Sequence, residues 1–218
     1  MDLSGIKKIY CIGIGGIGVS AVARWGHHQG ISVSGSDVAK SELTEKLKRE
    51  GIDVIYGHDE KNEPDDADFV VYTPAADEKH VERVAASKKK IMQVSYPEFL
   101  GWLSENKFTI AVTGTHGKST TTAILGLMLQ EAGFDPTIFV GTIVPGLEHG
   151  NVRVGHSNFL VVEACEHQGN MRQISSNIAV VTGIEPDHLD FYKNFEHALS
   201  VYQEFIDNVS LDGLLVKN

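Results

Sequence analysis

The run Ala111-Val112-Thr113-Gly114-Thr115-His116-Gly117-Lys118-Ser119-Thr120-Thr121-Thr122 gathers residue types that can hold a polyphosphate. An apolar strand passes through a glycine turn into Gly-Lys-Ser and then a helix. Backbone N–H groups of such a turn point inward at a phosphate, and lysine adds a movable positive charge. A Ser or Thr hydroxyl can reach Mg²⁺, and the helix N-terminus contributes a partial positive charge. The general pattern asks for glycine five positions before Gly117, where Val112 stands. Two glycines instead flank Thr115-His116, a tighter variant. The alternative is a structural glycine turn with an incidental lysine; the strand Phe108–Thr113 before it and the helix Ser119–Gln130 after it weigh against that.

A second glycine cluster, Gly13-Ile14-Gly15-Gly16-Ile17-Gly18, lies near the start of the chain between a strand and a helix. Glycines there permit a tight turn and close approach of a pyrophosphate to backbone and helix N-terminus. Asp37 ends the following strand, about where an acid would meet a ribose hydroxyl. Taken alone, this motif fits NAD, FAD, a UDP-sugar or a structural turn. The pairing separates the options: a dehydrogenase has no use for a triphosphate loop, and an ATPase has no use for the front turn. The two together predict one phosphorylated carrier, one triphosphate and phosphoryl transfer between them.

The elements that must position these motifs alternate along the chain. Strands are expected at Lys8–Ile14, Ile31–Gly35, Asp53–Tyr56, Phe69–Tyr72 and Ile91–Val94. Helices are expected at Ile17–Gln29, Ser41–Glu50, Glu78–Lys89 and Pro97–Ser104. Short connections between them mean right-handed βαβ units and a mostly parallel sheet. The polar stretch Ser104-Glu105-Asn106-Lys107 is the candidate boundary, because the pattern restarts there. The fold class is therefore α/β, with a Rossmann-like parallel-sheet domain over 1–106 and a phosphate-loop ATPase domain over 107–218.

Composition narrows the function classes. The 218 residues are 42% hydrophobic and 22% charged, as in ordinary globular proteins. The net charge of −10 argues against a nucleic-acid surface, which needs clustered Lys and Arg. The basic run Lys88-Lys89-Lys90 reads as a helix C-terminus that suits the helix dipole. No apolar run approaches the roughly 20 residues of a membrane span. The start Met1-Asp2-Leu3-Ser4-Gly5 lacks a basic export region, so a cytoplasmic location is expected. Cys11 and Cys165 both fall in strand-like runs and form no disulfide or metal pattern.

Several motifs in order resemble those of the Mur ligase family. They are Ile12–Ser20, Ser34–Asp37, Gly57-His58, Thr113–Thr122, Asn151–Gly155, Glu163-Ala164-Cys165-Glu166 and Glu185-Pro186-Asp187-His188-Leu189-Asp190. The Thr-His form of the loop points to the branch that acts on UDP-N-acetylmuramate. The resemblance covers essentially the whole chain and corresponds to the family's N-terminal half.

The resemblance implies a UDP-sugar domain followed by the first part of an ATP-binding central domain. It implies ATP and Mg²⁺ as cofactors, UDP-N-acetylmuramate and L-alanine as substrates, and amide formation through an acyl phosphate in peptidoglycan precursor synthesis. By the same resemblance Gly114, Thr115, His116, Gly117 and Lys118 would cradle the phosphates, and Ser119 or Thr120 would offer a hydroxyl to Mg²⁺. Glu163, ending the strand Phe159–Val162, would reach the same metal, and His188 after Ile178–Thr182 would touch a second one; Lys118, Glu163 and His188 form the catalytic set. Mg²⁺ chemistry alone would favour Asp187 or Asp190 over His188.

Gly15, Gly16, Ile17 and Gly18 would contact the UDP pyrophosphate. Asp37, His58 and Thr73 would bound the nucleoside, and Arg153 would pair with the sugar's carboxylate or a phosphate. For His58 and Arg153 a plain surface role fits the sequence equally well. The chain departs from the family pattern at Cys165, His167 and Gly183. Related ligases that add a whole peptide share the Glu-Ala-Cys-Glu run, so a peptide acceptor is the near alternative. A nicotinamide oxidoreductase, a small-molecule kinase and a non-catalytic UDP-sugar-binding protein are the others. The sequence of the last strand leads one to expect an unfinished central sheet with an uncovered edge, and 218 residues that do not ligate on their own.

Overall fold

The computed structural model describes residues 5–62, 64–186 and 191–218. The chain divides into two compact units, Met1–Phe99 and Leu100–Asn218.

The first unit runs β1 (Lys8–Ile12), α1 (Ile17–His28), β2 (Ser32–Asp37), α2 (Glu42–Arg49), β3 (Asp53–Tyr56), β4 (Phe69–Tyr72), α3 (Val81–Lys88) and β5 (Met92–Ser95). Its strands pair in the order β3-β2-β1-β4-β5, every pair parallel. The strand order reverses between β1 and β4, the place where an open α/β sheet offers a crevice beyond its carboxyl ends. A parallel sheet covered on both faces needs continuous apolar strands. Accordingly Ile9, Tyr10, Cys11 and Ile12 are wholly buried, with Val70, Ala67 and Ala86 packed against them. Burial pushes the Cys11 thiol up to about 12, so it behaves as a small apolar filler. The carboxylate of Glu50, at the end of α2, receives both Nε (2.7 Å) and Nη2 (3.2 Å) of the buried Arg24 on α1.

Several boundaries differ from the sequence reading by one to three residues, β1 ending at Ile12 and not Ile14 among them, and two of these differences have plain local reasons. β2 continues past Gly35, because Ser36 and Asp37 keep pairing with Ile55 and Tyr56. α3 starts at Val81 and not Glu78, since Asp77 forms its own turn by accepting the N–H groups of Lys79 and His80.

Helix α4 (Tyr96–Glu105) spans the division between the units. The second unit continues with β6 (Phe108–Thr113), α5 (Lys118–Glu131), β7 (Thr137–Phe139), β8 (Val152–Arg153) and β9 (Phe159–Glu163). A 3₁₀ segment (His167–Gln173), β10 (Ser176–Val181), α6 (Phe195–Asp207) and β11 (Val209–Lys217) complete it. The strands pair as β11-β10-β6-β9-β7-β8, all parallel except β7 with β8. Its core gathers Ile110, Ile138, Val140, Leu147 and Val161. β6 lies centrally, so its carboxyl end opens between those of β9 and β10. Strand β11 forms one edge and exposes Leu211, Leu214 and Val216. Cys165 falls beyond the end of β9 and is exposed, unlike its strand-like sequence context.

Candidate functional site

In the second unit the loop after β6 closes on backbone that only glycine permits. Gly114 has φ +135° and Gly117 has φ +80°, both in the region that disfavours side chains. A Cβ on Gly114 would also collide with Thr182 Oγ1. The neighbouring strand end braces the loop. Thr182 donates its hydroxyl to His116 O at 2.5 Å, Thr115 N–H donates to Gly183 O at 2.9 Å, and Glu185 N–H donates to Thr115 Oγ1 at 2.8 Å. Gly117 is the residue before α5, so the loop is also a helix N-terminus.

Lys118 lies folded into this loop. Its Nζ donates to Gly114 O (2.7 Å), Thr115 O (3.1 Å) and Glu166 Oε1 (2.9 Å). The ion pair is largely shielded, with side chains 14% and 4% exposed for Lys118 and Glu166. Glu166 is set by its own backbone: its carbonyl accepts Tyr192 OH at 2.5 Å and Gly169 N–H at 2.8 Å. Burial, and then the charge of Glu166, raise Tyr192 to about 12, which keeps that phenol a proton donor. Glu163 pairs in register with Val112, at the carboxyl end of the loop's own strand. Its Oε2 accepts Gly141 N–H at 2.7 Å, which fixes the carboxylate beside the loop. Ser119 is half-buried, and Thr120 and His116 are exposed. His188 lies outside the described residues.

In the first unit a cavity of about 510 Å³ opens beyond the strand ends, lined by Gly15, Gly16, Asp37, His58, Thr73 and His80 among others. Five of the residues singled out from the sequence thus meet at one place. Two of the expected pyrophosphate donors are already engaged: Gly15 N–H donates to Asp37 Oδ2 at 2.8 Å, and Gly16 N–H donates to Gly13 O at 3.0 Å. Asp37 therefore ties the glycine turn to the end of β2. Gly18 has a packing part, since any side chain there would meet the Tyr96 ring. Arg153 donates to Pro136 O and Asp135 Oδ1, both at 2.6 Å, and so holds the turn before β7; the structure does not join it to the phosphate loop.

Sequence reasoning missed Glu166 as the partner of Lys118 and Thr182 as the brace of the loop. The Glu-Ala-Cys-Glu run carried a signal for the first, a second acid just past a strand end. Nothing in spacing announced the second.

The fold is thus a parallel doubly wound unit with a glycine-turn cavity, followed by an α/β unit with a lysine-bearing glycine loop between strand and helix. The family profile described as "Mur ligase family, catalytic domain" matches residues 8–108, and "Mur ligase middle domain" matches residues 112–218. The chain belongs to the Mur ligase family.

A UDP-N-acetylmuramate–L-alanine ligase of Clostridium perfringens is 38% identical over 97% of this chain and 46% of its own length. The crystal structure of the UDP-N-acetylmuramate–alanine ligase of Thermotoga maritima superposes with a TM-score of 0.86 at 34% identity, covering 96% of this chain and 48% of that one. A UDP-N-acetylmuramate:L-alanyl-γ-D-glutamyl-meso-diaminopimelate ligase of Neisseria meningitides gives 0.87 at 25% identity, covering 98% and 72%. The chain spans about half the length of the curated relatives it matches.

Proposed function

We propose that this chain is the UDP-sugar- and ATP-binding half of a ligase that joins L-alanine to UDP-N-acetylmuramate. The observation that carries the reading is the Lys118 loop, with Glu163 on the adjoining strand end and a separate glycine-turn cavity in the other unit. Relatives named for that reaction match nearly the whole chain.

The residues fit a magnesium triphosphate. A loop in which Gly114 leaves no room for a Cβ, and whose helix starts at Lys118, offers converging N–H groups and one ammonium. Lys118 would exchange the Gly114 and Thr115 carbonyls for phosphate oxygens. The hydroxyls of Ser119 and Thr120 and the carboxylate of Glu163 are the oxygen donors Mg²⁺ prefers. His188 belongs to the same proposal as a further metal contact. When bound, ATP with Mg²⁺ supplies the phosphoryl group that turns a carboxylate into an acyl donor for an amine. This chain's part is to hold and orient: positioning and charge neutralisation account for most of phosphoryl-transfer catalysis.

In the first unit, the opening turn of α1, including Ile17 and Gly18, would face a diphosphate, with Asp37, His58 and Thr73 around the nucleoside. Arg153 enters this reading only if its bonds to the Asp135 turn are exchanged for a ligand. A peptide in place of L-alanine is favoured by one specific observation, Cys165 in the Glu-Ala-Cys-Glu run, alongside the likeness to the Neisseria peptide ligase.

Calorimetric titration of the chain with UDP-N-acetylmuramate, against NADH, tests the first-unit assignment. Binding of the muramate nucleotide alone is expected; binding of NADH alone would replace the ligase reading with an oxidoreductase.

A further inference from the structure

Three side chains from two segments meet at the first unit's cavity: His58, after β3, and His80 line it, and Glu82, two residues beyond His80 at the start of α3, lies behind them. Glu82, in the first turn of α3, is wholly buried, a costly position for a carboxylate without compensation. Its Oε1 accepts Asn62 Nδ2–H at 2.8 Å and Asp59 N–H at 3.4 Å. Its Oε2 accepts the Ser36 hydroxyl at 2.5 Å and lies 3.3 Å from His58 Nδ1. The His58 and His80 rings stand 4.4 Å apart, edge to face. His80 Nδ1 is buried without a hydrogen-bond partner among the described residues. Burial, and then the neighbouring His58, hold His80 below its ordinary value, which favours the neutral ring that metals bind. One donor atom from each of the three residues lies within 4.8 Å of the other two.

We propose that His58, His80 and Glu82 form a binding site for a divalent transition metal of the zinc class, with the fourth position open to the cavity. Two imidazoles and one carboxylate are a ligand set that zinc takes when one position stays open. With bonds of about 2.0–2.1 Å, the donor atoms of a tetrahedral site stand roughly 3.4 Å apart. The Glu82–His58 spacing of 3.3 Å is close to that edge, and a bound ion would replace the hydrogen bonds that His58 Nδ1 now shares with Glu82 and with Ser36 Oγ at 3.0 Å. Ser36 and Asn62 hold the other lone pairs of the carboxylate, as outer partners orient metal ligands. The ion would compensate the buried charge of Glu82 and use the orphaned imidazole nitrogen. Its open position would take water or an anionic oxygen. The nitrogen donors set this site apart from Mg²⁺, which selects oxygen. The proposal is independent of the ligase reading, because no nucleotide enters its test.

The test uses the 218-residue chain, stripped with a chelator and titrated with Co²⁺ while the visible spectrum is recorded. One Co²⁺ per chain with the intense bands of tetrahedral cobalt is expected, displaced by Zn²⁺. His80→Ala and His58→Ala should each weaken binding by more than the roughly tenfold that loss of an outer partner costs. His27→Ala, on the exposed end of α1, should leave it unchanged. Far-UV circular dichroism of each variant separates lost ligation from lost folding, and His80→Asn provides a second polar substitution. Absence of the tetrahedral spectrum, or a spectrum and affinity untouched by both His58→Ala and His80→Ala, would overturn the proposal.

Discussion

Lys118 is the residue on which the second unit turns. It is held by two carbonyls and Glu166, so under the proposed function a nucleotide would exchange partners already present rather than recruit a side chain from solvent. Removing one member of a buried ion pair leaves the other charge uncompensated. Glu166→Ala should therefore cost about 3 kcal/mol of unfolding free energy. The double variant Glu166→Ala/Lys118→Ala should recover part of that loss, measured by urea unfolding as a mutant cycle. A loss in the double variant equal to the sum of the Glu166→Ala and Lys118→Ala losses would show that the pair carries no coupling. Gly114→Ala should lower the melting temperature and abolish nucleotide binding together, because its φ and the Thr182 hydroxyl both exclude a Cβ. At this scale the sequence singled out Lys118 and Glu163, which the structure sets at the start of α5 and at the end of β9 respectively. It was silent on Glu166 as partner and on the meeting of His58, His80 and Glu82. Those contacts depend on which strand ends the sheet order brings together, which no local spacing encodes.

Elements explain why the loops hold their shape. Parallel strands bring the carboxyl ends of β6, β9 and β10 side by side, and hydrogen bonds from the segments beyond β9 and β10 do the rest. The turn before β7 is a smaller case with a testable pH signature. Asp135 accepts His156 N–H and the Arg153 guanidinium, and these hold its carboxyl below the usual value. A depressed carboxylate contributes stability that is present above its unfolded value of 3.8 and lost as pH falls through its folded value. Stability should thus decline from about pH 4 downward, and Asp135→Asn should flatten that slope in acid titrations followed by circular dichroism. An unchanged slope would mean that other carboxylates govern acid unfolding. Helix α6 depends on Asn194, whose side chain caps His197 N–H at 2.8 Å. Asn194→Ala should cost about 1 kcal/mol in urea unfolding. Periodicity revealed most of the helices and strands, because apolar runs fix them. Boundaries slipped where polar residues such as Ser36 pair inside a sheet, or where Asp77 forms its own turn.

At the scale of the whole molecule, two units with separate cores each carry one glycine turn between a strand and a helix. Among the described residues no helix is long and apolar enough to cross a membrane. The edge strand β11 presents Leu211, Leu214 and Val216 to solvent, an arrangement that invites pairing with other chains. Leu214→Lys should reduce concentration-dependent association in sedimentation velocity without altering the far-UV spectrum. Association that persists unchanged would locate the contact elsewhere. The two-unit plan was legible in the recurrence of strand, glycine turn and helix, and the uncovered edge was expected from the sequence of the last strand; strand order adds that β11 itself is an edge, beside β10.

The proposed function assigns different nucleotides to the two units through separate machinery. Paired calorimetric titration of the chain and its Lys118→Ala variant with ATP–Mg²⁺ and with UDP-N-acetylmuramate separates the two assignments. The expected result is a roughly 10- to 100-fold loss of ATP affinity in the variant, the size of one charged hydrogen-bond donor, with muramate-nucleotide binding unchanged. Equal ATP affinity in both proteins, or parallel loss of both ligands, would mean that the two units do not bind their nucleotides separately.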